Sequence, residues 1–243
     1  MQVVESRSRP FAQLVLAGLI MVALLALTDS DPSSEPTRHP RLYRPVEAET
    51  ARRIDALLAG IPQRGSTLGD RGAPVTLQFF ADLECEEARQ FVIGALPFLI
   101  RRWVREGKLR IVYRANPEET IWPDIFQGQQ VATLAAGVQG KAWSYLDFFY
   151  HEQGPEFSRY ATEHFLRAIA AQVPGLDISQ WSDDRLEPAL VRHLERDLRL
   201  ASRRSIEHTP AFLIGPSGER PKPLPHFSLT ESAAFDEAIE SML

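Results

Sequence analysis

Two apolar runs of strand length, residues 74–80 (PVTLQFF) and 108–114 (KLRIVYR), bracket a stretch with helical periodicity. In the stretch 85–106 the inward positions are Phe91, Val92, Leu96, Leu99, Trp103 and Val104. Strand, helix and strand within about 40 residues leave one connection: parallel strands joined by a right-handed crossover. Pro97 falls inside the helical stretch. It removes one i to i−4 hydrogen bond and predicts a kink. Gly107 suits the position just past the helix end.

Cys85 lies on the turn between the first strand and the helix, and it is the only cysteine in 243 residues. The free N–H groups of a first helical turn stabilise a thiolate placed there. A redox dithiol needs a second cysteine three positions on, and position 88 is Ala. A single cysteine cannot pair within the chain. It is buried and inert, free and reactive, or joined to another molecule.

Around this unit the chain reads as mostly helical. Residues 46–59 form a helix with a stripe of Ile54, Leu57 and Leu58, stopped by Gly60 and Pro62. Residues 63–73 read as loop with a short edge strand at 66–68. Helices are expected at 123–140, 141–151, 162–173 (capped by Thr162) and 184–204, together a four-helix subdomain. A short strand at 211–214 follows Thr209-Pro210. Pro221, Pro223 and Pro225 confine any further strand to an edge at His226-Phe227. Ser228 to Glu231 has the spacing of a capping box before a last helix carrying Phe235, Ile239 and Met242.

The N-terminal part is different in kind. Residues 11–27 carry no charge and are apolar apart from Gln13. As a helix they span about 25 Å against a hydrocarbon core of about 30 Å. Arg7 and Arg9 precede the run; Asp29, Asp31 and Glu35 follow. This places residues 1–10 in the cytoplasm, 11–27 as a transmembrane signal-anchor, and the remainder outside. Secretion after cleavage is the alternative, although no clean small-x-small site follows the run. Residues 28–45, rich in Pro, Ser, Asp and Arg, read as a disordered tether to a domain at 46–243. A net charge of −5 with mixed signs and no basic stripe argues against nucleic acid as a partner.

The runs APVTLQFFADLECEEARQF, LPFLIRRWVREGKLRIVYR and HTPAFLIG, with a C-terminal helix after them, resemble DsbA-type thiol-disulfide oxidoreductases of the thioredoxin superfamily. The resemblance covers residues 68–243. It implies a thioredoxin-like α/β fold with a helical insertion at about 120–205, joined to the N-terminal transmembrane helix. It also implies that Cys85 matches the attacking cysteine of a Cys-x-x-Cys motif, and that Ala88 stands where the resolving cysteine belongs. By the same resemblance Pro210 matches a cis-proline facing the motif, and Thr209 the residue whose backbone pairs with bound peptide. His208 takes a place that is often small in the family. A dithiol cycle needs both sulfurs. The expectation is therefore a degenerate member that binds partner proteins or peptides at the Cys85/Pro210 groove without dithiol turnover. A monothiol redox protein forming a mixed disulfide through Cys85 is the alternative.

Other residues have competing readings. Glu86 and Glu87 favour the helix dipole but oppose a charge on Cys85, which raises its pKa. His208 either faces Cys85 or is a solvated loop histidine. Asp82 and Glu84 flank the motif and read either as acid/base groups or, in preference, as solvated loop acids. Glu84, Glu86 and Glu87 form either a weak cation or basic-peptide site or a helix N-terminal charge preference. No histidine pair has metal-ligand spacing and no cofactor motif is present.

Overall fold

The computed structural model describes residues 45–243. The expected cytoplasmic segment, the transmembrane run 11–27 and all but the last residue of the tether lie outside them. Among the described residues no helix is long and apolar enough to cross a membrane.

The crossover unit forms as its periodicities require. Strand β3 (Val75–Ala81) lies parallel to β4 (Leu109–Ala115), from Val75 opposite Leu109 to Ala81 opposite Ala115. On its other edge β3 pairs antiparallel with β5 (Ala211–Pro216), so that Phe80 faces Ala211. Among the described residues the sheet has six strands, in the order β1 (Gln63–Arg64), β2 (Thr67–Leu68), β4, β3, β5 and β6 (Lys222–Pro223). Alternation along β3 sorts its side chains. Val75, Leu77, Phe79 and Ala81 enter the main core, while Phe80 packs with Leu213 and Ala201 on the opposite face.

Helix α1 (Ala48–Leu58) buries Ile54 and Leu58 as the stripe predicts. The loop after it holds two short strands where one was expected. β1 (Gln63–Arg64) and β2 (Thr67–Leu68) form a hairpin whose second strand pairs with β4. The helix after β3 is not continuous. Helix α2 (Glu86–Ile93) ends at Gly94, α3 (Leu96–Leu99) restarts with Pro97 in its first turn, and a π turn (Ile100–Val104) completes the run. The break therefore falls before Pro97. A Cβ on Gly94 would lie 2.6 Å from Leu229 O, and Ala95 N–H donates to that same oxygen at 3.0 Å. The chain leaves helical geometry so that the segment ahead of the last helix can approach.

The insertion holds five helices: α4 (Pro123–Val138), α5 (Ala142–His151), α6 (Glu163–Gln172), α7 (Ile178–Asp184) and α8 (Pro188–Arg203). Four were expected. α7 was missed, and α8 starts at Pro188 where Asp184 was predicted. Thr162 caps α6 through Phe165 N–H, as expected. The aromatic run of α5 is core: Trp143, Tyr145, Phe148, Phe149 and Tyr150 are all buried. The edge strand β6 is Lys222–Pro223, paired with β5, and not His226-Phe227. Helix α9 (Ala233–Glu240) starts after Ser232. Ser228 accepts from Glu231 N–H in a turn outside that helix, so the expected capping box does not cap it.

Candidate functional site around Cys85

The site forms where β3 ends and α2 begins. Asp82 shapes the turn by accepting Glu84 N–H at 3.0 Å on Oδ1. Its other oxygen accepts Glu118 N–H at 2.9 Å and Thr120 N–H at 2.8 Å, which fastens the loop after β4 to the turn. Tyr150 on α5 donates its hydroxyl to Asp82 O at 3.0 Å. Asp82 and Glu84 are both fully buried, so the reading of solvated loop acids is wrong. Glu84 accepts from Gln129 Nε2 of α4 at 3.0 Å through Oε1, while its buried Oε2 has no partner. Burial first, then the Asp82 carboxylate, pushes the Glu84 carboxyl up to about 7.

Cys85 is the N-cap residue of α2, and its sulfur accepts Ala88 N–H at 3.4 Å. The thiol is fully buried. Its one proton has two acceptors: Thr209 O at 3.3 Å and Glu87 Oε2 at 3.6 Å. Burial pushes the thiol up to about 12, against hydrogen bonds that favour the charged form. Glu87 adds to the rise as expected, but it ranks below burial. The result is a protonated thiol at any ordinary pH.

The Thr209–Pro210 peptide bond is cis, as the resemblance implies. Thr209 and Cys85 meet through the thiol. His208 does not join them. It is exposed and pairs with Glu118 at 2.9 Å, which raises its pKa. Glu118 also accepts Thr209 N–H, in a short hydrogen bond. A third segment, between α5 and α6, closes over the turn. Gln153 Nε2 donates to Leu83 O and Cys85 O at 2.8 and 3.0 Å, and Glu156 accepts Glu86 N–H at 2.8 Å. A carboxylate and a neutral thiol thus take donors that a helix N-terminus would offer to an anion.

Sequence reasoning missed Glu118, Gln153, Glu156 and Gln129, whose roles depend on which loops meet. The one signal present was the spacing Asp82 to Glu84, which suits an Asx turn.

A family model described as thioredoxin matches residues 63–220. The chain belongs to the thioredoxin family. Within it the protein is DsbA-like. It is similar to the probable disulfide bond formation protein D of Bacillus anthracis, at 23% identity, covering 61% of this chain and 68% of that protein. The fold matches Wolbachia pipientis alpha-DsbA1 with a TM-score of 0.60 at 17% identity, covering 78% of this chain and 94% of that one. A second sequence relative is the Na(+)/H(+) antiporter NhaA 1 of Mycolicibacterium gilvum, 27% identical over 98% of this chain; the match spans 34% of that longer protein.

Proposed function

We propose that this DsbA-like protein binds extended partner segments in the groove between Cys85 and Pro210 and does not turn over dithiols. The observation that carries this reading is the geometry at Cys85: a buried sulfur, its thiol pushed up by that burial and hydrogen-bonded to Thr209 O, with Ala88 in place of a resolving thiol. A mixed disulfide, once formed, has no internal sulfur to release it. The monothiol alternative needs a thiolate, and the burial of the sulfur weighs against it. The catalytic assignment of Cys85 is therefore set aside, while Thr209 and Pro210 remain the proposed partner-binding backbone. His208 takes part only through Glu118.

We place the domain outside the cytoplasm on a single membrane anchor at residues 11–27. Secretion after signal cleavage is the alternative. The uncharged run, its flanking charges and the similarity to an ion antiporter support a position beside a membrane.

Insulin reduction by the wild-type chain beside Ala88→Cys tests the loss of turnover. Ala88 N–H touches the Cys85 sulfur, and residues one helical turn apart fall within disulfide reach of about 4.4–6.8 Å between Cα atoms. No turnover is expected in wild type, and only weak turnover in the variant, because the second sulfur is restored while Cys85 stays buried with its thiol pushed up. Clear wild-type turnover would overturn the proposal.

A further inference from the structure

Thr209 N–H lies just beyond the β5 ladder, whose pairing with β3 stops at Ala211. Pro210 has no N–H. Thr209 is therefore the last main-chain donor at the groove end of that strand, and a side chain holds it. Glu118 takes this N–H with one oxygen and the His208 ring with the other. The Thr209 hydroxyl beside it is buried without a partner, and the residue is 8% exposed. Glu118 is itself poised by Asp82, which anchors Glu118 N–H and Thr120 N–H from below.

The charges around this contact are mostly of one sign. Glu119 has its pKa raised by burial and by the fields of Glu156, Glu118, Asp82 and Glu87. Glu207 adds a further acid next to His208. The cation on this contact is His208, which already pairs with Glu118. An incoming acidic segment meets repulsion here, and an incoming lysine or arginine meets attraction.

We propose that Glu118 is an internal stand-in for a partner strand, and that the natural occupant is an extended segment carrying a lysine or arginine that draws Glu118 off Thr209. The partner's cation pairs with the released Glu118 carboxylate, and a partner carbonyl takes the freed Thr209 N–H. This inference rests on the groove reading above and names its partner class. Exposed charge pairs alone are worth little. Here the exchange replaces one accepted hydrogen bond with another, so the added ion pair sets the preference.

The sole cysteine reports the displacement without a label. Thr209 O accepts the Cys85 thiol proton, so freeing Thr209 from Glu118 is expected to loosen the packing over the sulfur. In the full chain, Glu118→Ala is expected to raise the rate of Cys85 alkylation by iodoacetamide about tenfold, an opening shift of about 1.4 kcal/mol, and Glu118→Gln, whose amide oxygen can still accept Thr209 N–H, to raise it by less. Far-UV circular dichroism checks that each variant is folded. Unchanged rates in both folded variants would overturn the stand-in. Binding is then read with two extended alternating peptides, one with lysines and one with glutamates. The lysine peptide is expected to bind wild type at least about tenfold tighter, with that preference reduced in Glu118→Gln. Equal binding of both peptides would overturn the charge class and leave the groove reading intact. No binding of either, with alkylation still responding to Glu118, would overturn the groove reading and the partner class while leaving the contact itself.

Discussion

Cys85 shows how far a residue's neighbours in sequence define its chemistry. Glu86 and Glu87 give the direction of the thiol shift, and that much was legible. The larger cause is burial beneath Thr209, more than a hundred positions away, and no local pattern encodes it. Glu84 makes the same point in a testable form. Its carboxyl is raised from an ordinary value of 4.5 to about 7 in the folded chain, so the folded state holds a proton that the unfolded state has released. Stability contributed by the neutral form is present below about 4.5 and falls as pH rises toward 7. Glu84→Gln keeps the acceptor for Gln129 and removes the titration. Urea midpoints of wild type and variant are expected to diverge across this window in favour of the variant, by on the order of 1–3 kcal/mol at neutral pH. Parallel curves would show that Glu84 does not hold its proton.

At the scale of elements, legibility followed periodicity. The two strands and the helix between them repeat strongly enough to fix their order, pairing and crossover. Helix α7 has one buried side chain, Trp181, and otherwise reads as polar loop. The prolines near β6 were rightly read as an edge, but the register put that edge at Lys222–Pro223, where Leu224 N–H can still donate to Phe212 O. The helix break was assigned to Pro97 because proline is a local signal. Gly94 breaks the helix for a tertiary reason, the approach of Leu229. Gly94→Ala should therefore lower stability by about 1–3 kcal/mol, against the gain that alanine brings in an open helix. Phe91 supports the same helix: it is fully buried, with ring centroids 4.9 Å from Phe79 and 4.6 Å from Phe212. Phe91→Ala is expected to cost about 3–5 kcal/mol. Urea titration measures both, and a neutral Gly94→Ala would mean that the Leu229 segment yields without cost.

Across the whole domain, three connections distant in sequence converge on one turn. The loop after β4 brings Glu118, the α5–α6 segment brings Gln153 and Glu156, and the loop before β5 brings Thr209. The sheet register makes this possible, because Ala81 ends level with Ala115 on one side and Phe80 with Ala211 on the other. The thioredoxin-like architecture is present, and its packing buries the chain's sole thiol. The pH dependence of Cys85 alkylation in the native full chain, followed by intact mass, measures that closure directly. An apparent thiol pKa well above the ordinary range, near 12, is expected, with labelling at pH 8 slower than in urea by about a hundredfold or more. An apparent pKa at or below about 8.5, with native labelling as fast as unfolded, would contradict a closed and quiet thiol.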